Sequence, residues 1–212
     1  MKTEQLVASL VADRAGSARP LARTVGGAVL AGALVSLVIF AVEFGPRVDL
    51  AAAFATWRFD FKLLLVLAAL MAASAACLAM ARPVVVARWR WSVLPVLFLA
   101  VALLGVELVA VPAGTWQARL VGSNAIDCLT AIPLFALAPL AALLLTMRRA
   151  AAPASPALAG AACGALAAAT AAVIYAFHCF DDSPLFVLTW YTLAVIPVIL
   201  LGAAVGRRLL RW

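Results

Sequence analysis

The sequence has few charged residues and few of the residues that soluble catalytic sites use. Only 12% of its 212 residues are charged, whereas soluble chains carry about 25%. It has one histidine and four cysteines, and it lacks Cys-x-x-Cys, His-Glu-x-x-His and Gly-x-Ser-x-Gly motifs. Recognised redox, zinc-hydrolase and serine-hydrolase arrangements are therefore excluded. With 67% hydrophobic residues and a mean hydropathy of +1.15, the composition indicates an integral membrane protein.

Six continuous apolar runs are long enough to cross a bilayer, which takes about 20 residues per helix. They predict an all-α integral membrane protein with a single bundle of six transmembrane helices. A β-barrel is excluded because its strands would alternate apolar and polar residues. The first run is too long for the apolar part of a secretory signal, so it is expected to be retained. A tail at 1–23 precedes the transmembrane domain at 24–212, whose predicted spans are 24–44, 61–81, 92–112, 125–147, 156–177 and 184–206.

Basic residues are distributed unevenly between the two sides of this predicted bundle. Twelve of the sixteen fall in the two tails and in the second and fourth loops, and four fall on the other side. Because basic loops remain in the cytoplasm, both termini are predicted to be cytoplasmic. This sorting accounts for the net charge of +7, so no direct contact with nucleic acid is expected. The Arg88–Trp91 run is interpreted as an interfacial anchor.

The side chains with the most distinctive chemistry gather near the predicted outer ends of the helices. His178 and Cys179 follow the fifth span, and Cys128 lies at the start of the fourth. Placing a charged side chain in the apolar region of a membrane is energetically costly. Such a residue is therefore interpreted by default as functional. The acids predicted at this depth are Glu43, Glu107, Asp127, Asp181 and Asp182.

Cys128 and Cys179 allow three interpretations. In the oxidising outer compartment they could form a disulfide, provided that their Cα atoms come within about 7 Å. Together with His178 and an acid they could instead bind zinc or a similar ion. They could also be small buried hydrophobes, which is the preferred interpretation of Cys77 and Cys163.

The neighbouring polar residues also have structural explanations. Ser183 or Asp182 is expected to cap the sixth helix, since both types accept hydrogen bonds from free backbone N–H groups at a helix start. Glu107 could pair with Arg119 or Arg47 across the same side of the bundle.

Small residues and prolines predict how the helices pack. Gly160–Gly164 and Gly202–Gly206 are small-xxx-small patterns, which favour close approach of the fifth and sixth helices in lipid. Prolines are expected inside the spans, where each removes a backbone donor and can kink its helix. These are Pro95, Pro133, Pro139 and Pro197.

The N-terminal tail contains a predicted amphipathic helix at Thr3–Arg14. Its apolar face carries Leu6, Val7, Leu10 and Val11. An isolated helix of this length is marginal in water and needs a surface to bind. The polar face is mixed and partly acidic, unlike that of a helix that binds a membrane surface. A groove on a partner protein is therefore the favoured binding surface.

Several motifs resemble those of the NrsF-type membrane anti-sigma factors, which negatively regulate an extracytoplasmic-function (ECF) sigma factor. The resemblance covers the whole chain, and its most specific part is the His-Cys…Asp-Asp-Ser-Pro-Leu-Phe block. It implies a multi-pass protein of the bacterial inner (cytoplasmic) membrane that is not an enzyme. The matching segments are Met1–Leu6, Asp127–Leu129 with Ile132–Leu134, His178–Val187 with Trp190–Tyr191, and Gly206–Trp212.

The resemblance also implies a mechanism. The N-terminal segment would hold the ECF sigma factor inactive, and Cys128 and Cys179 would correspond to the family's signal-related cysteines, which respond to metals or oxidants. His178 is the expected helper, and Asp127, Asp181, Asp182 and Glu107 are the supporting acids. No cofactor is expected to be required, although a heavy metal could bind transiently. The oligomeric state is not predicted, and the partners are the sigma factor and the lipid bilayer.

The alternative prediction is a small ion or solute transporter or channel. It would use Glu43, Glu107 and Asp127 as an ion path. These acids are all predicted near one face, whereas a path must cross the membrane. The anti-sigma factor is therefore the favoured prediction.

Overall fold

The computed structural model describes residues 21–85 and 87–211. Across these residues the regular secondary structure is entirely helical. Six helices are long and apolar enough to span a membrane, which confirms the predicted all-α fold. We number them α1 (Leu21–Glu43), α2 (Trp57–Met80), α3 (Ala87–Ala110), α4 (Ala125–Ala150), α5 (Pro156–Ala176) and α6 (Pro184–Leu209).

Several helices begin or end a few residues away from the predicted bounds. α2 begins at Trp57 because the side chain of Thr56 accepts a hydrogen bond from the backbone of Phe59, a typical N-terminal cap. α4 and α6 continue through their basic last turns to Ala150 and Leu209. The predicted amphipathic helix at Thr3–Arg14, with Leu6, Val7, Leu10 and Val11, lies outside the described residues.

α5 is the central helix of the bundle. Its apolar stretch is 72% buried, compared with 11% for that of α3. It packs on α6 through four glycines, as the small-xxx-small patterns predict. A Cβ atom on any of the four would come within 3.0 Å of backbone atoms of the facing helix. These glycines are Gly160, Gly164, Gly202 and Gly206.

α1 and α4 make a second close contact, at Pro139. Proline has no N–H, so the carbonyl of Phe135 one turn earlier loses its usual helical partner. The hydroxyl of Ser36 on α1 donates a hydrogen bond of 2.6 Å to this carbonyl. Gly32 lets the two helices approach, because a Cβ there would overlap Pro139. The hydrogen bond from Ser36 thus satisfies the Phe135 carbonyl, which lies in the apolar interior where water cannot reach it.

One proline expectation needs correction. The sequence predicts that Pro95 removes a backbone hydrogen-bond donor from the interior of a span. In the structure, Pro95 lies in the first turn of Leu94–Ala110, the α-helical part of α3. The N–H groups of a first turn have no intrahelical acceptor, so proline costs little there. The preceding residues, Ala87–Val93, form a 3-10 helix.

The bundle has two chemically different ends. The thiol end contains the segments 43–62, 107–128 and 177–184, and the basic end contains 21–24, 80–85, 87–94, 147–156 and 207–211. Short helices at Leu50–Ala53 and Trp116–Val121 cover the thiol end. All five ion pairs among the described residues also lie at the thiol end.

Candidate functional site

Cys128 and Cys179, which we call the thiol pair, are brought together at the thiol end. Cys128 lies in the first turn of α4, and Cys179 lies in the connection between α5 and α6. Both residues have no solvent exposure, and their side chains are close neighbours, each affecting the titration of the other. Both are free cysteines. The site therefore joins two segments 51 positions apart through two reduced sulfur atoms.

The surroundings favour the thiolate form of Cys179. The adjacent Cys128 side chain lowers the pKa of Cys179, and the positive charge of Lys62 lowers it further, against the opposing effect of burial. The side-chain amide of Asn124 also points a donor at the Cys179 sulfur, at 4.0 Å. Since the thiolate is the reactive and metal-binding form of cysteine, these surroundings favour such chemistry at Cys179.

Two tyrosines, for which the sequence gives no distinctive signal, adjoin the thiol pair. The hydroxyl of Tyr175 on α5 lies beside Cys128, and that of Tyr191 on α6 lies beside Cys179. Both hydroxyls are buried and neither has a well-formed hydrogen bond in the described part of the chain. A buried hydroxyl without a partner costs about 1–3 kcal/mol. A thiolate on the adjacent sulfur would accept a hydrogen bond that a thiol accepts only weakly.

His178 was expected to assist the signal-related cysteines, but its observed contacts are with the end of α1. Its Nδ1 atom lies 2.9 Å from the carbonyl oxygen of Gly45, and its ring packs edge-on against Phe40 and Phe44 of the α1 end. Across residues 21–85 and 87–211, no three His, Cys, Asp or Glu side chains are grouped so that they could hold a metal ion. The set of Cys128, Cys179 and His178 therefore does not form a preassembled metal site.

A network of buried charges holds the Cys179 backbone in place. Lys62, which is 2% exposed, donates to the Cys179 carbonyl at 2.8 Å and to Asp182 at 2.6 Å. Arg47 donates to the same carbonyl at 3.2 Å and to Asp182 at 2.8 Å. Asp49 binds Arg47 through both carboxylate oxygens, and this contact lowers the pKa of Asp49. Two cations from separate segments thus fix a single carbonyl.

Glu107 forms a second network, which attaches α3 to the rest of the thiol end. Its carboxylate is fully buried and accepts hydrogen bonds of 3.0 Å from Arg58 and 3.0 Å from Arg119. The hydroxyl of Ser183 donates to it at 3.1 Å. Of the two pairings that the sequence suggested, the one with Arg119 is confirmed. The one with Arg47 is wrong, because Asp49 and Asp182 occupy that guanidinium.

The expected cap at the start of α6 is also wrong. Ser183 occupies the cap position but makes no side-chain capping hydrogen bond, because its hydroxyl binds Glu107. Asp182 pairs with the two buried cations. Asp181 instead binds the entrance of α4, where it accepts from the backbone N–H groups of Ser123 and Asn124, each at 2.8 Å. Each member of this short acidic segment therefore contacts a different neighbour.

The remaining acids do not line a path through the bundle. Glu43 and Asp127 are exposed on the surface of the bundle, and Glu107 is buried between two arginines. The alternative of an ion path through these three acids therefore has no support in the geometry.

In the sequence, Lys62 and Arg58 contribute only to the predicted topology, and Arg47 also to a suggested pairing with Glu107. A signal for their role is present in the chain: three of the four basic residues on the sparsely basic side fall within residues 47–62. Buried cations need compensating acids, and the nearby acids on the same side were already identified.

The fold and this site define a helical protein of membrane type, in which ion networks enclose a buried pair of thiols. The chain belongs to the family described as NrsF, negative regulator of sigma F, which matches residues 10–212. It is also similar to the anti-sigma-F factor NrsF of Caulobacter vibrioides (strain NA1000 / CB15N), with 39% identity over 74 residues. That match covers 35% of each chain, so this chain aligns with about a third of the curated relative. No solved structure matches. The family is regulatory and not enzymatic.

Proposed function

We propose that this chain holds an ECF sigma factor inactive at the cytoplasmic face of the bacterial inner membrane. Release would follow when the thiol pair is oxidised or binds a metal. The family match over residues 10–212 is the observation that carries the regulatory role. The burial of both cysteines and the proximity of their side chains support the sensing step.

The proposed orientation places the basic end in the cytoplasm and the thiol end outside. Basic residues favour the cytoplasmic side, and the four at the thiol end are all paired with acids. In this orientation the thiol pair faces the compartment in which disulfides persist.

The sensing chemistry requires two protons to leave the pair. Oxidation joins the two sulfur atoms and releases two protons, with two electrons passing to an envelope oxidant. Metal binding instead replaces the two protons with one thiophilic cation. Either reaction shortens or reorients the link between α4 and the connection that carries Cys179.

A route from the thiol pair to the tail runs through α4 and α1. Cys128 lies on α4, which contacts α1 through the hydrogen bond from Ser36 to Phe135 and at Gly32. The described part of α1 begins at Leu21, among the last residues of the tail at 1–23. A shift of α4 would thus reach the proposed sigma-binding residues Leu6, Val7, Leu10 and Val11. Release requires that the sigma factor bind one state of the bundle more tightly than the other.

The tail can be tested by co-purification of the sigma factor with the full chain. A Leu6→Asp, Leu10→Asp double variant should lose the sigma factor, because charge on the apolar face opposes insertion into a partner groove. The matched control is Gln5→Asp, Ser9→Asp, which adds the same charge to the polar face and should retain binding. Equal recovery with wild type and the Leu6, Leu10 variant would contradict the proposal.

The thiol pair can be tested by measuring sigma release in cells under oxidant and metal stress. A Cys128→Ser, Cys179→Ser variant should hold the sigma factor under both stresses. Under oxidant, the matched control Cys77→Ser, Cys163→Ser should release it as wild type does. Normal release from the Cys128, Cys179 variant would rule out sensing through this pair.

A further inference from the structure

The structure contains a second pair of thiols that the proposed function does not use. Cys77 lies in the last turns of α2, and Cys163 lies in the second turn of α5. Their sulfur atoms are 4.0 Å apart, and neither residue has any solvent exposure. The sequence alone favours both as small buried hydrophobes. Their burial agrees with that interpretation, but it gives no reason for the two sulfur atoms to meet.

The number of ligands limits which ions this pair could bind. Among the described residues, no third His, Cys, Asp or Glu joins the two sulfur atoms, whereas structural zinc takes four ligands. The pair therefore suits an ion that is stable with two sulfur ligands. A linear sulfur–metal–sulfur unit spans about 4.6 Å if each bond is about 2.3 Å, as for zinc and sulfur. Small side-chain rotations can accommodate that change from 4.0 Å.

Charge decides between the soft ions that accept two ligands. An uncompensated charge in an apolar interior is strongly unfavourable. Two thiolates with a monovalent ion such as copper(I) leave one negative charge, whereas two thiolates with a divalent ion form a neutral unit. In the described part of the chain, Cys163 is the only group whose charge acts on the buried Cys77 sulfur, so the arginines at the basic end do not compensate a charge here. The site therefore favours a divalent, two-coordinate, thiophilic cation.

We propose that Cys77 and Cys163 form a dithiol binding site for such a cation, of which mercury(II) is the example. Each thiol loses one proton and forms one sulfur–mercury bond, and mercury(II) chloride loses two chloride ions. Neutral mercury(II) chloride can enter apolar surroundings as a molecule. The product links α2 to the central helix α5 near the basic end. This site is separate from the thiol pair and does not depend on the sigma factor.

The experiment uses the full chain, purified in nanodiscs without the sigma factor. A Cys128→Ser, Cys179→Ser variant removes the thiol pair, so that only Cys77 and Cys163 remain. The protein is loaded with mercury(II) chloride and washed with a monothiol, and the retained metal is measured by mass spectrometry. We expect one mercury per chain to be retained. Adding Cys77→Ala or Cys163→Ala should weaken mercury retention about 100-fold. A single thiol forms one bond to the metal and loses the second, intramolecular bond, which benefits from a high effective concentration.

Two results would overturn the proposal. The first is retention that does not change when Cys77 or Cys163 is replaced. The second is no retention by the variant with both cysteines, although it has the circular dichroism of wild type and both thiols titrate after denaturation. Neither result would bear on sigma binding, which co-purification tests separately.

Discussion

Lys62 occupies an energetically costly position at the thiol end. It lies in the second turn of an apolar helix and is 2% exposed, where a cation is costly unless it is paired. Its ammonium group is compensated by Asp182 and by the Cys179 carbonyl. The same contacts place a positive charge near the Cys179 sulfur. Lys62 therefore both fixes the connection that carries Cys179 and favours the thiolate.

Replacing this lysine should change the pH dependence of Cys179. Removal of the positive charge destabilises the thiolate, so Lys62→Met should raise the pKa of Cys179 and slow its alkylation at neutral pH. Lys62→Arg should restore part of the effect, because it keeps the charge. Alkylation rates measured against pH, with Cys179 resolved by peptide mass spectrometry, would report the shift.

The control for this prediction is Asp60→Asn, an exposed change on the same helix. It alters the formal charge by one unit, as Lys62→Met does, but makes no contact with Cys179. A profile that moves equally in both variants, or in neither, would contradict the assigned role of Lys62.

The residues of the site differ in how far the sequence could predict them. The sequence identified Cys128 and Cys179 because thiols are rare and chemically distinctive in this chain. It did not identify Lys62 or Arg47 as their neighbours, because these contacts join residues more than 100 positions apart. The roles of Ser183 and Asp182 were mistaken for the same reason: a local capping pattern was outweighed by partners on other helices.

At the scale of helices, the interface between α5 and α6 depends on the absence of side chains. Gly202 faces the backbone of Gly160 and Gly164 so closely that a Cβ atom would overlap them. Close backbone approach gives such interfaces their van der Waals contacts in lipid. The glycine pattern was readable in the sequence because both helices repeat it at the same spacing.

A larger residue at Gly202 should separate these helices. Gly202→Leu is expected to destabilise the bundle by about 1–3 kcal/mol, the usual cost of overpacking a core. Gly105→Leu is the matched control, since the space around Gly105 on α3 is open. Helix loss followed by circular dichroism during denaturation of the purified protein would show the difference. Equal stability of the two variants would contradict the proposed packing.

One irregular element was not predictable from hydrophobic runs. Within α6, Val187–Tyr191 forms a π-helical turn, which carries Tyr191 beside Cys179. Such turns insert an extra residue and occur frequently at functional sites. The apolar run of the sixth span continues through this turn without a break, so composition alone gave no sign of it.

For the whole molecule, the two ends differ in whether their basic side chains are paired with acids. This difference separates the ends more clearly than the number of basic residues at each end. The thiol end carries four basic and seven acidic residues, and all of its basic side chains are paired. The arginines at the basic end make no ion pair within the described chain. Unpaired positive charge is thus confined to one end, which strengthens the orientation expected from the positive-inside rule.

Labelling single new cysteines tests this orientation directly. Val48 at the thiol end is 97% exposed, and Trp91 at the basic end is 71% exposed. In spheroplasts, a membrane-impermeant maleimide should label Val48→Cys at once and Trp91→Cys only after permeabilisation. The unmodified chain is labelled in parallel, and any signal from its four native cysteines, all of which are fully buried, is subtracted. Labelling of Trp91→Cys in intact spheroplasts, with Val48→Cys protected, would reverse the orientation and place the thiol pair in the reducing cytoplasm.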